Sequence, residues 1–174
     1  MSLGLPRKTV QLVSYSATWP SIFEQERAWL KERITLSGIA IEHVGSTAVP
    51  GLVAKPIIDI AIAVESISQI TDWEHRLSPE YAYYGNRALP DDWLFVKGPE
   101  ACRQVYLHAV LKDSQRWRNY LHFRDQLQAS PELRESYAEL KRELSRRFPK
   151  DRGAYTQGKA SFIQEVLKTA PQSP

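Results

Sequence analysis

Apolar side chains recur at helical spacing near the start of the chain, at strand spacing in its middle, and at helical spacing again in its last third. Ile22, Phe23, Trp29, Leu30 and Ile34 mark the first helix. Ser21 and Glu24 form the S-x-x-E pattern of a capping box, so the helix is predicted to open at Ser21, with Gly38 as its stop. Two runs rich in Ile and Val follow, Ile39–Val44 and Ile57–Val64. The second is almost continuous, as expected of a strand covered on both faces. The 12 residues between them, Gly45–Pro56, contain Gly45, Pro50, Gly51 and Pro56 and cannot form a plain helix. A helix is predicted around Ile67–Leu77, then strands at Tyr81–Tyr84, Trp93–Lys97 and Gln104–Leu111.

From Ser114 onward the period is helical. Trp117, Tyr120, Leu121, Arg124 and Leu127 share one side of a helix. Ser130 caps the next, with Pro131 at its first position, where proline sacrifices no hydrogen bond. Leu133, Tyr137, Leu140, Leu144 and Phe148 form its buried stripe, Pro149 ends it, and Asp151 caps a last helix carrying Tyr155, Phe162, Ile163, Val166 and Leu167. The pattern predicts an α/β (α+β) domain: a small sheet of mixed direction, a leading helix and a helical C-terminal third.

At 174 residues, one domain over 1–174 is expected, with 1–9 and 169–174 as loose termini. Cys102 is the only cysteine, which excludes a disulfide scaffold. The start lacks the apolar core of a secretory signal, and no run of about 18 apolar residues occurs, so a cytoplasmic protein with no membrane span is expected. Net charge is +3, but Lys141–Arg152 holds six basic residues against two acids. That stretch is either a solvated helix face or a surface that attracts phosphate. Nucleic acid is not an expected partner, because such binding calls for stronger net charge with interleaved aromatics.

Candidate chemistry concentrates in His43-Val-Gly-Ser-Thr47 and Lys55-Pro-Ile-Ile-Asp59. Gly45 lets the backbone turn sharply at a strand end, where Ser46 and Thr47 offer hydroxyls and amides to phosphate oxygens. Asp59 interrupts an apolar strand, and an ionised carboxylate there needs a partner: a basic group, backbone donors or a divalent cation. Lys55, Arg124, Lys141 and Lys159 are candidate phosphate contacts. Arg124 could equally be an ion-pair residue, and Lys141 could simply snorkel from the buried stripe. His108 and His43 are candidate metal ligands, with a hydrogen-bonded structural role as the rival reading of each; with Asp59 they could form a His/His/Asp cluster.

The segment Glu42–Ile60 resembles the signature of the GrpB (UPF0157) proteins. The similarity continues in Tyr106-Leu-His108, Leu121–Asp125, Tyr137–Lys141, Tyr155–Lys159 and Phe162-Ile163, and so spans about Val13 to Leu167. The resemblance implies a nucleotidyltransferase-like fold, whose hallmark is Gly-Ser at a strand end, a short connection and an aspartate on the neighbouring strand. By that analogy Gly45 and Ser46 would hold the nucleotide phosphates and Asp59 would be the catalytic, metal-binding acid; Thr47 would complete the cradle, with Lys55, Arg124 and Lys141 as the candidate cationic contacts read from the residues themselves. The implied cofactor is a divalent cation, Mg²⁺ first, with Mn²⁺ or Zn²⁺ as alternatives.

The sequence departs from that pattern at Ala61, where the superfamily carries a second acid two residues on, the spacing that returns a side chain to the same strand face. It also has Asn86 where relatives carry an acid and Asp91–Asp92 where arginine is usual, with Arg87 as a compensating cation. The expected function is binding of a nucleotide or related phosphorylated small molecule with a divalent cation, with transfer of a nucleotidyl group to an acceptor. The alternative is a non-catalytic nucleotide- or coenzyme-binding regulatory module with a degenerate acid cluster.

Overall fold

The computed structural model describes residues 3–34, 39–86 and 89–169. Its elements are α1 (Trp19–Arg33), β1 (Ile41–Val44), β2 (Ile58–Val64), α2 (Trp73–Leu77), β3 (Tyr81–Gly85), β4 (Trp93–Lys97), β5 (Val105–Leu111), α3 (Gln115–Ala129), α4 (Pro131–Arg147), α5 (Arg152–Gly158) and α6 (Ala160–Leu167). The five strands form one sheet in the order β1-β2-β5-β4-β3. Only β2 and β5 pair in parallel; the other neighbours are antiparallel. The architecture is thus the mixed α/β sheet with a leading helix and helical C-terminal third that the pattern implies.

Alternation along the strands assigns the faces. Ile58, Ile60, Ile62 and Val64 of β2, with Val105, Leu107 and Ala109 of β5, join Phe23 and Leu30 of α1 and Trp73 and Leu77 of α2 in the largest core. Ala61, Ala63, Val44 and Val110 face the other way and pack on Trp117 of α3. β2 is an interior strand covered on both sides, which explains why its sequence is apolar apart from Asp59. Asp59 lies on the α3 side by the same alternation.

Several boundaries differ from the sequence expectation. α1 opens at Trp19 with Pro20 in its first turn, so Ser21 lies inside the helix and cannot cap it. Its expected stop, Gly38, lies outside the described residues. The Ile67–Leu77 helix divides into a 3-10 turn, Ile67–Ile70, and α2. The last helix divides at Lys159. Asp151 caps α5 by accepting from the Ala154 amide. A Cβ on Gly158 would come within 2.5 Å of Leu144 Cδ2, so glycine there allows the close approach of α5 to α4. The chain start is not loose over its described part: Leu5 bridges Arg103 and is 4% exposed, and the Gly4 amide donates to Pro56 O at 2.7 Å. No helix among the described residues is long and apolar enough to cross a membrane.

Leu107 is fully buried in the main core, so Leu107→Ala is expected to lower the unfolding free energy by about 2–5 kcal/mol. Ser130 accepts from the Leu133 amide at the start of α4, and Ser130→Ala is expected to cost about 1 kcal/mol. Urea unfolding midpoints of the two variants check both magnitudes and their order.

Candidate functional site

β1 ends at Val44, which is in register with Asp59 on β2. Gly45 then turns the chain at φ +69° into a 3-10 turn, Ser46–Ala48. A Cβ on Gly45 would lie 2.5 Å from Asp59 Oδ2 and 3.0 Å from its Cγ. Glycine is therefore what allows the backbone bend and the carboxylate to meet. Asp59 keeps 32% of its side-chain surface exposed, unlike its apolar neighbours on β2.

On β5, His108 stands in register with Ala61, and in-register side chains share a face. Its Nε2 lies 4.0 Å from Asp59 Oδ1, and its Nδ1 lies 2.9 Å from Oδ2 of buried Asp92. The Tyr120 hydroxyl donates to the same Asp92 oxygen. Burial works against a charged imidazole, but the carboxylates on either side outweigh it and raise the His108 pKa from 6.5 to about 9. Burial likewise pushes the Asp59 carboxyl up, while His108, Lys55 and Arg152 more than offset it and hold Asp59 below its ordinary value. The place beside Ala61, where a second acid would add negative charge, is held by an imidazolium.

Cations approach Asp59 from the helical side. Lys141 on α4, 2% exposed, donates from Nζ to Ser46 Oγ at 2.8 Å and to the Val53 carbonyl. Lys55 and Lys159 both place Nζ over the Tyr155 ring, 5.7 and 4.7 Å from its centroid. Arg152 lies over the Tyr106 ring and donates to its hydroxyl. Burial lowers the Lys141 pKa well below the ordinary lysine range, and Lys159 and Lys55 lower it further. Burial, then Arg152 and Lys159, bring Lys55 down to about 7. Lys159 falls to about 8 through burial and Arg152, against the pull of Asp59. Asp59 is the carboxylate that offsets all three lysines.

Three sequence candidates lie elsewhere. His43 is on the α1 face, stacked on Phe23 and hydrogen-bonded through Nε2 to Thr47 Oγ1 at 3.0 Å; burial lowers its pKa to about 4, so it is neutral. Thr47 is 1% exposed, and its hydroxyl is turned to His43 instead of outward to a phosphate. Arg124 is a clamp between α3 and β1: its guanidinium binds Glu42 at 2.8 Å, Asp125 at 2.7 Å and the His43 carbonyl at 3.0 Å. Among the described residues, no group of three His, Cys, Asp or Glu side chains could hold a metal ion, so the His43–Asp59–His108 cluster does not form. Strand alternation separates it, since His43 and Asp59 point to opposite faces.

Asp92, Tyr120, Arg152 and Tyr155 are the participants that sequence reasoning missed. Asp91 pairs with Arg116 at 3.0 Å, whereas Asp92, one residue on, turns inward to His108. Asn86 donates to Pro90 O, and Arg87 lies outside the described residues.

The GrpB protein family model matches residues 9–169. The chain belongs to the GrpB family. The glutamate-rich protein GrpB of Alkalihalophilus pseudofirmus is 32% identical over 95% of this chain and 98% of its own length. The crystal structure of GrpB from Enterococcus faecalis superposes with a TM-score of 0.81 at 32% identity, covering 91% of this chain and 95% of that one. The Cid1 poly(U) polymerase, solved with Mg 3′-dATP, gives a TM-score of 0.53 at 14% identity over 83% of this chain and 49% of that one. That likeness places the GrpB fold among nucleotidyltransferase-like folds.

Gly45→Ala sets a Cβ against Asp59 at a positive φ, and a loss of about 1–3 kcal/mol is expected. Combining it with Asp59→Ala removes the Oδ2 and Cγ contacts, leaving the Cβ contact at 3.0 Å, and should cost less than the sum of the single variants, as a double-mutant cycle of urea midpoints measures. His108 has a raised pKa in the folded state, so its stabilising contribution is complete below pH 6.5 and is lost as pH rises through about 9. The stability lost on His108→Gln should therefore shrink over that interval; Lys55, Lys141 and Lys159, whose lowered pKa values make stability rise with pH, are common to both proteins, so the difference between their unfolding midpoints isolates the histidine.

Proposed function

We propose that this GrpB domain binds a nucleotide or related phosphorylated small molecule at the Gly45–Ser46 bend, and that it acts as a binding module instead of a two-metal transferase. The observation that carries this reading is the gathering of Lys55, Lys141, Lys159 and Arg152 around the one carboxylate Asp59. Crowded cations that depress one another's pKa gain most from an incoming anion, and charge-assisted hydrogen bonds to phosphate are the strong kind.

A divalent cation is the expected companion of such an aspartate, and this donor set does not suit one. Mg²⁺ takes oxygen ligands. Ala61 offers none, Asp92 is engaged by His108 and Tyr120, and the charged His108 ring lies 4.0 Å from Asp59. Metal-dependent nucleotidyl transfer remains the second reading, favoured by the exposed part of the Asp59 carboxylate at the glycine-serine bend.

Isothermal titration with inorganic phosphate, AMP and ATP is expected to show binding with EDTA present. Lys55→Met or Lys159→Met should weaken it by about tenfold, the scale of one charge-assisted contact. Bound phosphate raises the lysine pKa values, so at pH 8 complex formation should take up protons, seen as a heat that varies with the buffer's ionisation enthalpy. Affinity should fall as pH rises past about 7 to 8, where Lys55 and Lys159 lose their protons. Pyrophosphate release from an NTP with Mg²⁺ or Mn²⁺, abolished by Asp59→Asn, would overturn the module reading in favour of the transferase.

A further inference from the structure

A second cationic feature adjoins the lysine cluster. A cleft of about 880 Å³ opens between the sheet and α5, lined by Arg7, Lys8, Arg103, Lys150 and Arg152 against one acid, Asp151. Asp151 is occupied as the cap of α5, accepting from the Ala154 amide. Glu100 pairs with Arg7 at 2.6 Å and lies 3.7 Å from Arg103. Among the described residues, no carboxylate comes within ion-pair distance of Lys8, Lys150 or Arg152. The floor is packed: Val96 and Tyr106 are buried strand residues, and Arg103, 4% exposed, donates to the Gly98 carbonyl and the Tyr84 hydroxyl.

Two groups belong to both features. Arg152 and Tyr106 line the cleft, are hydrogen-bonded to each other, and flank Asp59: Tyr106 is its register partner on β5, and the Arg152 charge acts on its carboxyl. The lysine cluster and the cleft therefore adjoin at Arg152 and Tyr106.

We infer that the ligand of this domain carries two phosphate groups, one held at the Lys55–Lys141–Lys159 cluster and the second in the arginine-lined cleft beside α5. This rests on the reading of the lysine cluster as a phosphate site. A monophosphate would leave the cleft's cations unneutralised, whereas a ligand with a second phosphate, on the same chain or across a ribose, would satisfy both ends. Arg152 would sit between the two groups.

The test compares AMP, adenosine 3′,5′-bisphosphate and ATP by isothermal titration of the full chain. The better of the two multiply phosphorylated probes should bind at least about tenfold more tightly than AMP. The triple variant Arg7→Gln, Lys8→Gln, Lys150→Gln alters exposed side chains and should collapse that preference. A charge-matched control at exposed positions, Lys31→Gln, Lys112→Gln, Lys168→Gln, should retain it. Equal affinity for all three probes, or a preference that survives the cleft variant, overturns the two-phosphate ligand and leaves the lysine site standing. Absence of binding by every probe overturns the lysine site itself.

Discussion

Asp59 and Gly45 meet because the antiparallel register of β1 and β2 sets Val44 opposite the aspartate and the next residue has no side chain. Everything that gathers at the site is arranged around that carboxylate. His108 stands between it and buried Asp92, which fixes the β4–β5 end of the sheet relative to α3 through Tyr120. Lys55, Lys141 and Lys159 approach it from the Gly45–Pro56 connection and from the helical third, and they draw charge compensation from it. A neutral residue at 59 would leave buried cations facing one another, an arrangement that burial penalises heavily.

The electrostatic character of this site differs from the two-metal arrangement that its fold can support. Two-metal chemistry concentrates acids so that cations are drawn in. Here Ala61 offers no ligand, Asp92 is engaged by His108 and Tyr120, and Lys141, Lys159 and Arg152 approach from the helices. Basic side chains outnumber acids around Asp59, the polarity that the proposed binding of an anion calls for. That difference lies in a few side chains, which is the sense in which function resides in sites grafted on folds.

The helical third does more than cover the sheet. α4 delivers Lys141 to Ser46, the first residue of α5 sets Arg152 over Tyr106, and the break between α5 and α6 sets Lys159 over Tyr155. Gly158 permits that break to sit close against Leu144. The helical third thus links the bend, the lysine cluster and the cleft beside α5, and the aromatic faces of Tyr106 and Tyr155 give the cations a surface to rest on without neutralising them.

The sequence by itself determined the order of helices and strands, the double-sided burial of β2, the Ser130–Pro131 start of α4 and the bend at Gly45, because each depends on neighbours a few residues away and on backbone geometry. It also marked Asp59 as a residue needing partners, since one charge in an apolar run conflicts with local physics wherever the run is placed. Only the tertiary structure decided which partners those are. Asp92 lies 16 positions from His108 and Lys141 lies 95 from Ser46, and no local signal links them. His43 and Arg124 seemed as eligible as any residue along the chain, until strand alternation turned one to the α1 face and an ion pair claimed the other. Long-range charge pairing is set by how the sheet and helices pack together, and spacing along a single chain carries no measure of it.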